Sequence, residues 1–180
     1  CGICGTPPAS DIAGIAARIS ARPASVPKAI DDAVETTLAS MAPRSLILRK
    51  SYAPDLPLVL LDTVQFQQVI SNLVRNAIIH SKGTEIRISF HARADVGTEA
   101  PVSVWKVIDN GIGIPNANLG RVFDPFFTTR LGHGGSGLGL SISRQIVDAH
   151  GGRISASNRL DPAGGVVRGA RFTIWLPDRK

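Results

Sequence analysis

Apolar positions recur every three to four residues along three stretches of the chain and every second residue along several others. From 29 to 41, Ile30, Val34, Leu38 and Met41 fall on one stripe and predict an amphipathic helix. Leu46–Tyr52 alternates and predicts a strand; Pro54-Asp55-Leu56-Pro57 reads as a turn, and 58–61 as a short apolar strand. Asp62 or Thr63 then caps a long helix reaching about His80, with Phe66, Val69, Ile70, Leu73 and Ala77 toward the core. Residues 84–90 alternate again, with Ile86, Ile88 and Phe90 on one face, and 94–101 reads as a hairpin-like loop. Val102 to Ile108 is apolar and β-branched, which predicts a buried strand. Leu138, Ile142, Ile146 and Val147 mark a third helix, stopped by a glycine cap at His150-Gly151-Gly152. Two strands, 153–156 and 170–176, close the chain across a Gly164-Gly165 loop. Helices alternating with groups of strands predict an α+β fold: a two-layer sandwich with a mixed β-sheet and helices packed on one face.

Composition narrows the classes. Residues 1–27 hold four Pro with many Ala and Ser, and read as a linker or partly ordered tail ahead of one domain over 28–180. A short helix over 11–19 is the one element expected in that tail. The 43% apolar content is globular. No apolar run reaches the roughly 18 residues of a membrane span, and no signal-peptide pattern opens the chain, so a soluble cytoplasmic location is expected. The first residue is Cys, not Met, which points to a fragment of a longer protein. Cys1 and Cys4 lie in a Gly/Pro-rich setting without further ligands, so neither zinc nor redox chemistry is expected of them. The net charge of +6 comes from scattered basic residues, with one Tyr and two Trp among them. Nucleic acid is therefore not expected; a phosphate-rich small ligand or an acidic partner protein accounts for the charge equally well.

The chemistry concentrates between Asp109 and Leu140. Two glycine turns, Asp109-Asn110-Gly111-Ile112-Gly113-Ile114 and Gly134 to Leu140, flank the aromatic segment Phe123-Asp124-Pro125-Phe126-Phe127-Thr128-Thr129-Arg130. Asp109 stands where a strand ends, and a carboxylate at the lip of a pocket accepts a hydrogen bond from an exocyclic amine. Adenine offers an amine there and guanine a carbonyl, so one Asp selects between them; an ordinary Asp-Asn-Gly turn is the alternative. Glycines ahead of a helix expose backbone N–H groups to phosphate oxygens, and the helix dipole favours the anion. The second turn lacks the Lys of a Walker loop and the third Gly of a dinucleotide fingerprint, so by itself it is equally a flexible loop. On the long helix Asn72 and Asn76 are four apart, on one face at the edge of the core stripe. There two amides either line a pocket, where an amide oxygen suits Mg²⁺, or face solvent.

The order of Asn-Leu-Val-Arg-Asn-Ala (72–77), Asp-Asn-Gly-Ile-Gly-Ile (109–114), Phe-Asp-Pro-Phe-Phe-Thr-Thr (123–129) and Gly-Ser-Gly-Leu-Gly-Leu (135–140) resembles the catalytic, ATP-binding domain of two-component sensor histidine kinases. The resemblance covers 27–180. It implies a Bergerat-type ATP fold of the GHKL superfamily and phosphoryl transfer from Mg-ATP to a histidine. It implies that Asn76 coordinates Mg²⁺ and serves catalysis, that Asn72 supports the same polar wall, and that Asp109 binds the adenine amine. Gly111, Gly113 and Ile114 would shape the base pocket, with His80 bordering the nucleotide. Residues 123 to 130 would begin an ATP lid, anchored by Phe126 and Phe127, with Thr128 and Thr129 beside the nucleotide. Gly135, Ser136, Gly137, Leu138, Gly139 and Leu140 would hold the phosphates.

ATPases of the wider superfamily carry Glu where Asn72 stands, as a base for water; Asn72 takes no proton at neutral pH, which favours kinase over ATPase chemistry. His80, His91, His133 and His150 do not resemble the family's phosphoacceptor. The implied partners are a dimerisation domain carrying that histidine and a response-regulator receiver domain. The implied whole protein is a homodimer, cytoplasmic or the soluble part of a membrane-bound kinase. Ile79 stands where many members have a basic residue near the phosphates, and Arg130 is the expected substitute. A non-catalytic nucleotide-binding module and an anti-sigma-type Ser/Thr kinase are the alternatives on this fold.

Overall fold

The computed structural model describes residues 19–41, 45–54, 56–80, 86–95, 102–129 and 136–177, with the backbone alone at 86–95 and 102. Within these, the chain runs β1 (Arg22–Ala24), α1 (Val26–Met41), β2 (Leu46–Tyr52), β3 (Val59–Leu61), α2 (Thr63–Ile79), β4 (Ile86–Asp95) and β5 (Val102–Asp109). It continues through α3 (Asn116–Leu119), α4 (Gly139–Ala149), β6 (Arg153–Leu160) and β7 (Val167–Pro177).

Five strands form one sheet in the order β2-β4-β5-β7-β6. The β2–β4 pair is parallel and the other pairs are antiparallel, so the sheet is mixed as expected. Alternation along each strand sends Trp105 and Val107 of β5, and Phe172, Ile174 and Leu176 of β7, to one face. There they meet Ile30 and Val34 of α1, Phe66, Ile70 and Leu73 of α2, and Ile146 and Val147 of α4 in one buried cluster. Each such side chain contributes about 1.5–3 kcal/mol by leaving water. The opposite face is polar where it carries Lys106 and Thr173, with the Arg153 guanidinium 4.6 Å from the Trp175 ring centre.

The tail expected over 1–27 is part of the fold from Arg22 onward. Arg22–Ala24 pairs antiparallel with β3 in a separate two-stranded sheet, and Val26, the first residue of α1, is fully buried. Pro27, the last residue of that expected tail, is the second residue of α1. In the first turn its missing N–H costs nothing, since that group has no intrahelical partner. The helix expected over 11–19 lies outside the described residues, Ile19 excepted, and no helix is assigned there. Residues 94 and 95, expected in a loop, extend β4, and β6 runs four residues past its expected end. The single turn α3 has no counterpart in the hydrophobic pattern.

Capping orients the two helices that matter most. Asp62 caps α2, its carboxylate accepting from the N–H of Gln65 and of Ser20, both at 3.1 Å. Partial burial pushes that carboxyl up, but the N–H groups of Gln65, Ser20 and Val64 and the nearby His150 outweigh it and hold it low. His150 closes α4. Its Nδ1 lies 2.7 Å from the Ile146 carbonyl, and its Nε2 accepts the Asp62 N–H at 2.9 Å. Those partners fix the tautomer with the proton on Nδ1. The end of α4 is thereby tied to the start of α2.

Candidate functional site

A cavity of about 560 Å³ opens between α2, the turn after β5, the segment after α3 and the start of α4. Its size suits a small-molecule ligand. Asn72, Asn76 and His80 line it from α2, and Asp109, Gly113 and Ile114 from the turn. Phe127, Thr128, Thr129, Ser136, Gly137, Leu138, Gly139 and Leu140 line it from the other side. Residues expected at one site from motifs up to 68 positions apart are thus brought together. Gly111 is not on the wall; it seats the turn, whose Ile112 N–H donates to the His80 carbonyl at 3.1 Å. Arg130 and Gly135 lie outside the described residues.

Among the described lining residues Asp109 is the one carboxylate, only 8% exposed. Its Oδ1 accepts the N–H of Gly111 at 2.8 Å and of Ala170 at 2.9 Å. Burial pushes the carboxyl above its ordinary value, while the bonds from Ala170 and Gly111 and the charges of His80 and Arg159 pull the other way. Both described bonds fall on Oδ1, which leaves Oδ2 for a donor on a ligand. The close approach of β7 requires Gly169: a Cβ there would sit 2.0 Å from the Asp109 carbonyl oxygen, and its φ is +134°.

The turn beyond Asp109 is held by Asn158, a residue the motifs did not suggest. Its Nδ2 donates to the Ile114 carbonyl at 2.7 Å, and its Oδ1 accepts the Ile114 N–H at 2.7 Å. The ladder explains the placement. Asn158 pairs with Ala170 across β6 and β7, and the Ala170 N–H bonds Asp109, so the three share one rung. Arg153, Ser155 and Ser157 alternate with Ile154 and Ala156, and Asn158 takes the next place on the inner face, a polar residue where the alternation calls for an apolar one. Asn158→Ala strands two backbone groups and is expected to lower the unfolding free energy by about 1–3 kcal/mol. Urea denaturation measures this, and Asn158→Asp, which keeps only the acceptor, should recover part of it.

The two amides of α2 behave differently. Asn72 Nδ2 donates to the Gly139 carbonyl at 2.9 Å and to Ser143 Oγ at 3.2 Å, which buckles α2 to the first turn of α4. The Asn76 side chain lines the cavity and bonds no described residue. Opposite it, α4 begins without a side-chain cap on its first-turn N–H groups. Those groups point a positive dipole end into the space that Gly137 opens. Gly137 has φ +67°, and a Cβ there would lie 2.5 Å from the Phe126 backbone.

The aromatic segment anchors differently from the expectation. Phe126 is 73% exposed with φ 64°, so it is no anchor. Phe123 packs edge-on against Phe172 at 6.4 Å with Arg144 5.9 Å from its ring centre. The Arg121 guanidinium lies 5.0 Å from the centre of Phe127. The anchor is the pair Phe123 and Phe127.

Among the described residues no three His, Cys, Asp or Glu side chains cluster as a metal site. The amide oxygen of Asn76 is of the ligand type that suits a hard cation such as Mg²⁺, which takes most of its ligands from phosphate and water.

Residues 61–180 match the family described as histidine kinase-, DNA gyrase B-, and HSP90-like ATPase. The chain belongs to this family. Within it, the chain is 38% identical over 135 residues to the alginate biosynthesis sensor protein KinB of Pseudomonas aeruginosa, covering 74% of this chain and 21% of KinB. It is 39% identical over 156 residues to the sensor protein FixL of Bradyrhizobium diazoefficiens, covering 85% of this chain and 28% of FixL. The mycobacterial sensor histidine kinase MprB superposes with a TM-score of 0.72 at 26% identity, covering 88% of this chain and 98% of that structure. The family fold is therefore the two-layer α+β sandwich expected, and the chain is a histidine-kinase-type ATP-binding catalytic domain. It spans 21% of the length of KinB and 28% of that of FixL.

Proposed function

We propose that this domain binds Mg-ATP in the cavity and transfers the γ-phosphoryl group to a histidine on a separate dimerisation domain, for relay to a response-regulator aspartate. The observation that carries the reading is Asp109, buried at one end of a cavity whose other end is the uncapped start of α4. One end accepts a hydrogen bond and the other receives an anion, which is the polarity of a nucleotide.

In this reading Asp109 Oδ2 accepts the adenine amine, and Asn158 and Gly169 hold the turn against which the base lies. Gly137 and Gly139 present N–H groups to the phosphates, beside Leu138, whose own N–H donates to Ser136 Oγ at 3.3 Å, and Asn76 offers its amide oxygen to the metal. When bound there, Mg²⁺ neutralises phosphate charge and orients the terminal group. Asn72 is a positioning residue: its amide N–H group is committed to α4, and it offers no base for water. The attacking imidazole comes from the partner domain. The full-length protein is then a homodimer, cytoplasmic or the soluble part of a membrane-bound kinase. No described helix is long and apolar enough to cross a membrane.

The test mixes the domain with an acceptor helical hairpin supplied in trans and γ-labelled ATP. Acid-labile label on the hairpin is the expected result. Acid-stable label indicates a Ser/Thr kinase instead, and ATP bound without label on the hairpin indicates a regulatory nucleotide-binding module.

A further inference from the structure

Arg75 lies inside the 72–77 box without a role given to it there, and it is a candidate for binding phosphate. Gln68, Asn72, Arg75, Asn76 and Ile79 all line the cavity from α2. At about 100° per residue they occupy one flank of the helix, with Arg75 on its outer edge, at the mouth. Among the described lining residues Arg75 is the only Lys or Arg, and Asp109 the only Asp or Glu. Without Arg75 the wall therefore carries no formal positive charge from these side chains.

Lys28, Arg121 and Arg144 each have a carboxylate neighbour on their own segment, in Asp32, Asp124 and Asp148. The 17 residues of α2 include no Asp or Glu, and Arg75 is their only Lys or Arg. No described carboxylate lies within salt-bridge distance of it. Its level along α2 also matters. The Asn72 amide touches Gly139, so residues 72–76 face the glycine turn at the anion end of the cavity. The base end lies at His80, five residues and about 7.5 Å farther along the helix.

We propose that Arg75 receives the terminal phosphate of the bound nucleotide, so that this site separates triphosphate from diphosphate. The proposal rests on the nucleotide reading above. A guanidinium binds phosphate oxygens in pairs, which suits a terminal group with several free oxygens better than a bridging one. The competing role for Arg75 is a favourable charge near the C-terminal end of α2. That role affects helix stability and is indifferent to phosphate number.

Calorimetric titration of the parent, Arg75→Ala and Arg75→Lys with Mg-ATP, Mg-ADP and adenosine decides. Arg75→Ala is expected to weaken Mg-ATP by about tenfold, Mg-ADP by less than about threefold and adenosine not at all. Arg75→Lys should recover part of the ATP loss. Equal losses for ATP and ADP, or no loss for either, overturn the assignment while leaving the nucleotide site intact. A parent that ignores all three ligands overturns the nucleotide reading and this inference together. Thermal melts of the variants accompany the titrations; a fall in melting temperature with the ATP-to-ADP affinity ratio unchanged identifies the helix-dipole role and overturns the proposal.

Discussion

Asp109→Asn is expected to weaken ATP binding by about a hundredfold or more, to lift GTP relative to ATP, and to raise the melting temperature of the ligand-free domain. The substitution is nearly isosteric. The asparagine Oδ1 still accepts the N–H groups of Gly111 and Ala170, which places an NH₂ where Oδ2 stood. A donor now faces the adenine amine, also a donor, and a buried unpaired polar group costs about 1–3 kcal/mol on each side. Guanine presents a carbonyl at that edge and is met instead of repelled. The stability gain follows from the raised carboxyl, whose first cause is burial. A group with a raised folded value binds its proton more tightly folded than unfolded. Below the ordinary value of 3.8 it is protonated in both states and costs nothing. As pH rises through the folded value, the ionised form is penalised only in the fold, so at neutral pH the penalty is complete. Asparagine carries none of it. Melting curves at pH 7 and pH 4 should show the variant's advantage at pH 7 and its shrinkage at pH 4. Nucleotide titrations at pH 7 complete the test: unchanged ATP affinity in Asp109→Asn removes this residue from base recognition.

The periodic elements were legible because each buries one stripe. Phe66, Val69, Ile70, Leu73 and Ala77 predicted α2, and all five are core residues. What the pattern missed lies in interactions between elements. β1 is three residues long, and its partner β3 is 35 positions away or more, so no local period marks it. Asn158 owes its role to a ladder rung shared with Ala170 and Asp109, which depends on register between β6 and β7. The two amides of α2 look alike in sequence, but Ser143 and the Gly139 carbonyl claim one of them. Phe126 and Phe127 are adjacent and equally apolar, yet a φ of 64° turns the first into solvent and leaves the second against Arg121. Many residues of the motif boxes line one cavity, Gly111 excepted, because the turns after β5 and before α4 face one flank of α2 across it. The boxes were silent about the residues that hold those turns in place.

Asn76→Ala and Asn72→Ala should separate, although the two residues are one helical turn apart. The Asn76 side chain bonds no described residue, so its removal disturbs little of the fold and takes away the amide oxygen offered to the metal. The expected result is an unchanged melting temperature, metal-free ATP binding within about threefold of the parent, and loss of the gain that Mg²⁺ confers. Phosphotransfer to a supplied acceptor should fall by about a thousandfold, since metal neutralisation of the phosphates is worth several kcal/mol. Asn72→Ala removes two hydrogen bonds between α2 and α4 and should lower stability by about 1–3 kcal/mol, with Mg²⁺ dependence retained. Asn76→Asp gives a third, distinct signature. A carboxylate binds the metal more strongly but repels the phosphates, so metal-free ATP binding weakens while the Mg²⁺-dependent gain persists. Titrating each variant with ATP at zero and saturating Mg²⁺ measures all three. A Mg²⁺ gain of parental size in Asn76→Ala would show that the metal is held without this amide, and the phosphate end of the site would have to be rebuilt around other residues.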